Sequence, residues 1–180
     1  TKDGSIAGPK VLEHMVDVVL QFEGDRFHAA RILRAVKNRY GAVNEIGVFE
    51  MTAAGLSPVA DPSRLFLSGR RDTGPGTVVT AALEGSRPFM VEVQALVATG
   101  FPGNAKRQVS GADRNRAQML LAVLENRAEL SLFDHDVYLN VVGGASINEP
   151  GGDLAMAVAV ASSLRERAFP TDTVLIGEFG

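Results

Sequence analysis

The stretch DLAMAVAVASSLRE, residues 153–166, constrains this chain more than any other. Its apolar residues run nearly all round a helical wheel instead of forming one stripe. A helix of that kind has no solvent face, so the rest of the chain must supply layers on more than one side of it. The flanking sequence does so. TVVTAALEG (77–85) and PFMVEVQALVAT (88–99) read as strands joined by a tight turn at Gly85-Ser86, a hairpin pattern. DVYLNVVGG (136–144) and TVLIGEFG (173–180) read as two further strands. In RNRAQMLLAVLENRAEL (114–130), Ala117, Leu120, Leu121 and Leu124 recur at the spacing of an amphipathic helix, with Asp113 as its N-cap. FPGNAKRQVSGAD (101–113) reads as a loop. Residues 77–180 therefore form an α/β unit.

The first third of the chain has a different period. MVDVVLQFEG (15–24) alternates, with Val16, Val18, Leu20 and Phe22 on one side. ARILRAVKN (30–38), with Ile32 inward, and IGVFEMT (46–52) continue as strands. Consecutive strands this close pair antiparallel. Residues 1–10 form a loop that leads into a short turn or helix between Pro9 and His14. Residues 57–76 form a linker rich in turn residues, with RLFL as a helical turn inside it.

Composition narrows the chemistry. The net charge is −3 and charged residues make up 22% of the 180, so any nucleic-acid contact has to come from a local basic patch. The absence of cysteine excludes disulfides and thiol catalysis and removes the usual ligands of a structural zinc. His14, His28 and His135 are scattered, with no metal-ligand spacing. There is no apolar run of membrane-spanning length and no signal peptide, so the expected location is the cytoplasm. No GxxxxGK[ST] loop is present. Gly74-Pro75-Gly76 follows two arginines but lacks the lysine and hydroxyl that would hold phosphates.

Three places carry possible chemistry. In Lys37-Asn38-Arg39-Tyr40-Gly41, two cations lie two residues apart at the end of a strand. They project to the same side, like a clamp for an anion; the plainer reading is two solvated charges. Lys106, Arg107, Arg114 and Arg116 place four cations within eleven residues, either a phosphate-contacting patch or a solvated loop. Arg70 and Arg71 are a smaller basic pair. Finally, residues 143–155 run from a strand through a glycine-rich loop into the buried helix, with Asp153 at the helix start, Ser146 in the loop, and Ser162 and Ser163 inside the helix.

The run TKDGSIAGPKVLEHMVDVVLQFEGD, then RILRAVKNRYG, then IGVFEMT, resembles the RadA/Sms family, whose KNRFG signature stands here as KNRYG. The resemblance implies that residues 1–56 are the C-terminal part of a RecA-like ATPase core. In that setting Lys37 and Arg39 act in trans on a neighbour's ATP, with Tyr40 packing the loop that presents them. Lys2 and Lys10, near a DNA-binding loop, would contact phosphates together with Lys106, Arg107 and Arg114. Residues 77–180 resemble a Lon-protease-like domain of the ribosomal protein S5 domain 2-like type, cut short at its C-terminal end. Asp153 occupies the position of the Lon serine. A carboxylate there caps a helix but is no nucleophile, so no peptidase activity is expected.

The family implies a DNA-dependent ATPase of recombinational repair that binds single-stranded and branched DNA and promotes branch migration. It also implies assembly into a hexameric ring and a RecA recombinase as partner. ATP and Mg²⁺ would belong to the full-length protein and zinc to a motif nearer its N-terminus, with none of them bound by this chain alone. Two rivals remain at this point: a Lon-like serine-lysine peptidase and a pure oligomerisation module.

Overall fold

A computed structural model describes residues 11–24, 30–67, 74–84, 86–101 and 103–179. Lys2, Lys10, His28, Arg70 and Arg71 lie outside the described residues. The chain is α/β and divides into two compact units, one of residues 1–59 with 85–87, the other of residues 60–84 with 88–180.

In the first unit a short helix α1 (Val11–Met15) precedes strands β1 (Val18–Gly24), β2 (Ala30–Asn38), β3 (Ile46–Thr52) and β4 (Gly55–Pro58). They form one antiparallel sheet in the order of the chain, as close consecutive strands should. β4 is absent from the sequence reading: its four residues, two of them glycine and proline, are too few to show a period. The register shifts between Val19 and Leu20, where β2 carries an extra residue.

Val18, Leu20 and Phe22 do share a side, but it is the exposed one within this unit, with Leu20 at 57%. Phe22 meets Phe49 there, ring centroids 6.4 Å apart. Ile32 lies opposite Glu23 and Val48 on the other face, where Val48 is buried and Glu23 accepts from Arg34 at 3.1 Å.

The second unit holds helix α2 (Pro62–Leu67) and a sheet of β5 (Thr77–Glu84), β6 (Arg87–Thr99), β7 (Arg107–Ser110) and β8 (His135–Val141), ordered β5-β6-β8-β7. β6 runs antiparallel to β8, and β7 runs parallel to it. Helices α3 (Arg114–Arg127) and α4 (Asp153–Leu164) complete it. α4 packs against β5 and β8, and α3 against β7 and α4.

The register Val93↔Val141, Ala95↔Leu139 and Val97↔Val137 turns one sheet face toward these helices. That face meets the buried Ala117, Leu120, Leu121 and Leu124 of α3 and the buried Ala155, Met156, Ala157, Ala159 and Val160 of α4. The all-round apolar helix is thus sandwiched, as its composition requires.

Two elements depart from the sequence reading. β7 forms inside the expected loop 101–113: four residues with two charged or polar ends show no period, and only the parallel partner β8 makes them a strand. Residues 173–179 alternate in exposure but form no strand; among the described residues they meet the sheet through the Val79↔Val174 bridge and the Leu175 N–H bond to the Val79 carbonyl. Among the described residues, no helix is long and apolar enough to cross a membrane.

Candidate nucleic-acid interface

The basic residues of 104–114 come together at the β7 edge. An open groove of about 460 Å³ is lined by Asn104, Ala105, Lys106, Arg107, Gln108, Val109 and Arg114. No carboxylate is among these residues. Lys106 ends the loop that enters β7, Arg114 opens α3, and both are exposed.

A cation in the first turn of a helix opposes the helix dipole. An anion is favoured at such a helix start by that dipole, and here the Asp113 carboxylate already takes that place. Two acids stand beside the groove, Asp113 exposed and Asp136 half-buried, and each is engaged by a backbone N–H. Asp136 accepts from the Lys106 N–H at 2.8 Å and from the Tyr138 hydroxyl at 3.3 Å. Asp113 caps α3 by accepting from the Arg116 N–H at 2.7 Å, the N-cap role expected of it.

Arg107 lines the groove but is half-buried, and its guanidinium serves the fold. It donates to the Lys106 carbonyl at 3.1 Å, to the Leu132 carbonyl at 2.7 Å and to the His135 carbonyl. It thereby clamps the loop between α3 and β8 to the start of β7. Its part in any anion site is a charge near the groove more than a set of open donors.

Arg116, grouped with these cations by sequence, points the other way. Its Nε and Nη2 each lie 2.5 Å from a carboxylate oxygen of Asp153. Glu178 stands 3.6 Å from the same guanidinium. These partners, the Asp153 hydrogen bonds first, hold the guanidinium pKa above its ordinary value, against the opposing cost of partial burial.

Asp153 is 1% exposed and also accepts from the Phe179 N–H at 3.3 Å. It is the first residue of α4, with Gly152 at the N-cap position, so its carboxylate serves a buried ion pair and not the cap expected of it. Ser162 and Ser163 are engaged as well. Ser162 Oγ accepts from the Gly76 N–H at 2.8 Å and donates to the Arg167 carbonyl at 2.6 Å. Ser163 Oγ accepts from the Val97 N–H at 2.9 Å.

In the first unit β2 ends at Asn38, so Arg39 lies just past the strand. Both cations turn back onto the segment that leads into β1. Lys37 Nζ donates to the Glu13 carbonyl at 2.7 Å, and Arg39 Nη1 forms an exposed pair with Asp17 at 3.2 Å. The turn after β2 is held by Asn38, which accepts from the Tyr40 N–H at 3.2 Å and donates to the Ala42 carbonyl at 3.3 Å. Tyr40 does not pack this loop: its side chain is 83% exposed. A side-chain amide bonded at both ends of a tight turn leaves the ring no role in holding it.

No family model matches the chain. Curated relatives align with all 180 of its residues, and each is named DNA repair protein RadA. The identity is 53% for the protein from Listeria monocytogenes, 54% for that from Pseudomonas aeruginosa and 52% for that from Streptococcus pneumoniae. The chain belongs to the RadA family. It spans 39%, 40% and 43% of the lengths of those three relatives.

For this RadA-family chain the sequence reading missed two structural roles. The Arg116–Asp153 pair joins residues 37 positions apart, and nothing local marks either as the other's partner. Arg107 looks like any surface cation until β7 is seen to lie beside the α3–β8 loop.

Proposed function

We propose that this chain is the DNA-holding, motor-coupling part of a DNA repair ATPase. In this reading the protein is a ring that binds single-stranded DNA and drives branch migration of recombination intermediates. Its first unit is the end of a RecA-like core. Its second unit is a Lon-like domain that acts as a non-proteolytic scaffold and DNA surface. Lys37 and Arg39 would let go of Glu13 and Asp17 to reach a neighbour's ATP. ATP and Mg²⁺ would be held elsewhere in such a protein, since this chain has no phosphate-binding loop motif.

The observation that carries the DNA reading is the groove at β7, which gathers Lys106, Arg107 and Arg114 without a lining carboxylate in a chain of net charge −3. A local basic groove on an acidic chain is the footprint of backbone-phosphate binding. Against the peptidase alternative stands Asp153, a buried carboxylate locked to Arg116 where a nucleophile would be needed.

The test is binding of a labelled oligodeoxythymidylate across a range of salt. Each phosphate that the protein no longer neutralises lowers the slope of log K against log salt by ~0.7 for single strands. Replacing Lys106 and Arg114 together by alanine therefore lowers it by ~1.4. Arg107 is left in place because it also holds the α3–β8 loop. An unchanged slope and affinity in the double variant refutes the groove as the DNA site.

A further inference from the structure

Two exposed phenylalanines, Phe101 at 81% and Phe133 at 68%, lie on loops whose backbones are tied to residues of this groove. The fold brings their loops together. The Gly100 N–H donates to the Asp134 carbonyl at 2.7 Å, so the residue before one ring is bonded to the residue after the other. Gly100 is required there, because a Cβ would lie 2.7 Å from Asp136 Oδ1 and 3.2 Å from the Asp134 carbonyl oxygen. The groove is joined to both rings through the backbone. Asn104, the first lining residue, donates its N–H to the Phe101 carbonyl at 3.0 Å. Arg107 holds the Leu132 carbonyl, the peptide group that leads into Phe133.

A large aromatic side chain left in water forgoes roughly 1.5–3 kcal/mol of burial. Two of them stand on adjoining loops, each one residue from a hydrogen bond that fixes the backbone beneath it. Exposed aromatic rings on loops tied to a groove lined by cations and no carboxylate are the elements of a single-strand site; Asp134, the acid beside Phe133, stands 2.8 Å from His135 Nδ1. The cations follow the phosphates, and the rings stack on bases, which a duplex keeps stacked on one another.

We propose that Phe101 and Phe133 form a base-stacking platform for single-stranded DNA whose backbone runs through the Lys106–Arg114 groove. This rests on the DNA reading of that groove and adds the selection of single strands over duplex.

The test measures binding of the full chain to an oligodeoxythymidylate, to an abasic strand of the same length and to a duplex. It uses the unaltered protein, Phe101→Leu, Phe133→Leu and the double variant. Leucine keeps the apolar bulk and removes the aromatic face, and both sites are exposed, so folding is unaffected. Each substitution is expected to weaken thymidylate binding by roughly 5- to 150-fold with the salt slope unchanged. Abasic-strand and duplex affinities should not move.

Thymidylate binding that falls on Lys106→Ala with Arg114→Ala but not in the leucine variants overturns the platform and leaves the groove standing. Absence of thymidylate binding by the unaltered chain overturns both. Unchanged DNA binding with altered self-association in the leucine variants assigns the rings to a protein contact and also overturns the platform.

Discussion

Replacing Asp153 by alanine tests whether the residue at the start of α4 is a structural anchor. Asp153 is 1% exposed and bonds Arg116 through both carboxylate oxygens, with the Phe179 N–H as a third donor. Removing one member of a buried pair costs ~3–5 kcal/mol because the other charge is left without its partner. Here Arg116 retains 28% side-chain exposure and Glu178 at 3.6 Å, so water and a second carboxylate recover part of the loss. Loss of a negative charge at the N-terminus of α4 adds ~0.5 kcal/mol. The expected cost is about 3 kcal/mol.

With a urea dependence of ~2 kcal/mol per molar, the unfolding midpoint of the second unit, followed by far-ultraviolet circular dichroism, falls by ~1.5 M. Asp153→Asn keeps the shape and an acceptor for the Phe179 N–H and should lose less. Because the Asp153 end of the pair is buried and the Arg116 end only partly exposed, the difference between variant and parent falls little as salt is raised. An exposed pair such as Arg39–Asp17 behaves otherwise. A midpoint within ~0.3 M of the parent for Asp153→Ala would refute the anchor role.

Two further outcomes follow from single positions. Gly76 has a φ of +89°, and a Cβ there would overlap the Ala95 carbonyl oxygen. The backbone cannot relax freely, because Gly76 donates to Ser162 and accepts from the Ala95 N–H, both at 2.8 Å. Gly76→Ala should therefore cost at least about 2 kcal/mol in chemical denaturation, and an unchanged midpoint counts against this account. If the proposed trans-acting role holds, Lys37→Ala in a longer protein that includes an ATP site should lower any ATP turnover by ~10³-fold or more with circular dichroism retained; normal turnover removes that role.

Much of the second unit was legible because its signals are local. The spacing of Ala117, Leu120, Leu121 and Leu124 set the buried face of α3, and Asp113 caps it. The uniform apolarity of residues 154–161 required a buried α4, and it is buried. β7 was not legible: a strand of four residues acquires its identity from β8, which follows it by some 25 positions. In the first unit the alternation of Val18, Leu20 and Phe22 identified a strand but not which face it buries. Period reports only that two sides differ; what covers each is set by the rest of the fold.

By itself the sequence determined the family, through KNRYG and its neighbouring strands, together with the layered α/β character and the basic content of residues 106–116. Only tertiary structure decided what those cations do. It leaves Lys106 and Arg114 open on a groove, turns Arg107 onto backbone carbonyls, and buries one end of Arg116 against Asp153. The reason is one of range. Propensity and period act over a few residues, whereas a charge's role depends on which distant donor, acceptor or solvent meets it, and folding alone settles that.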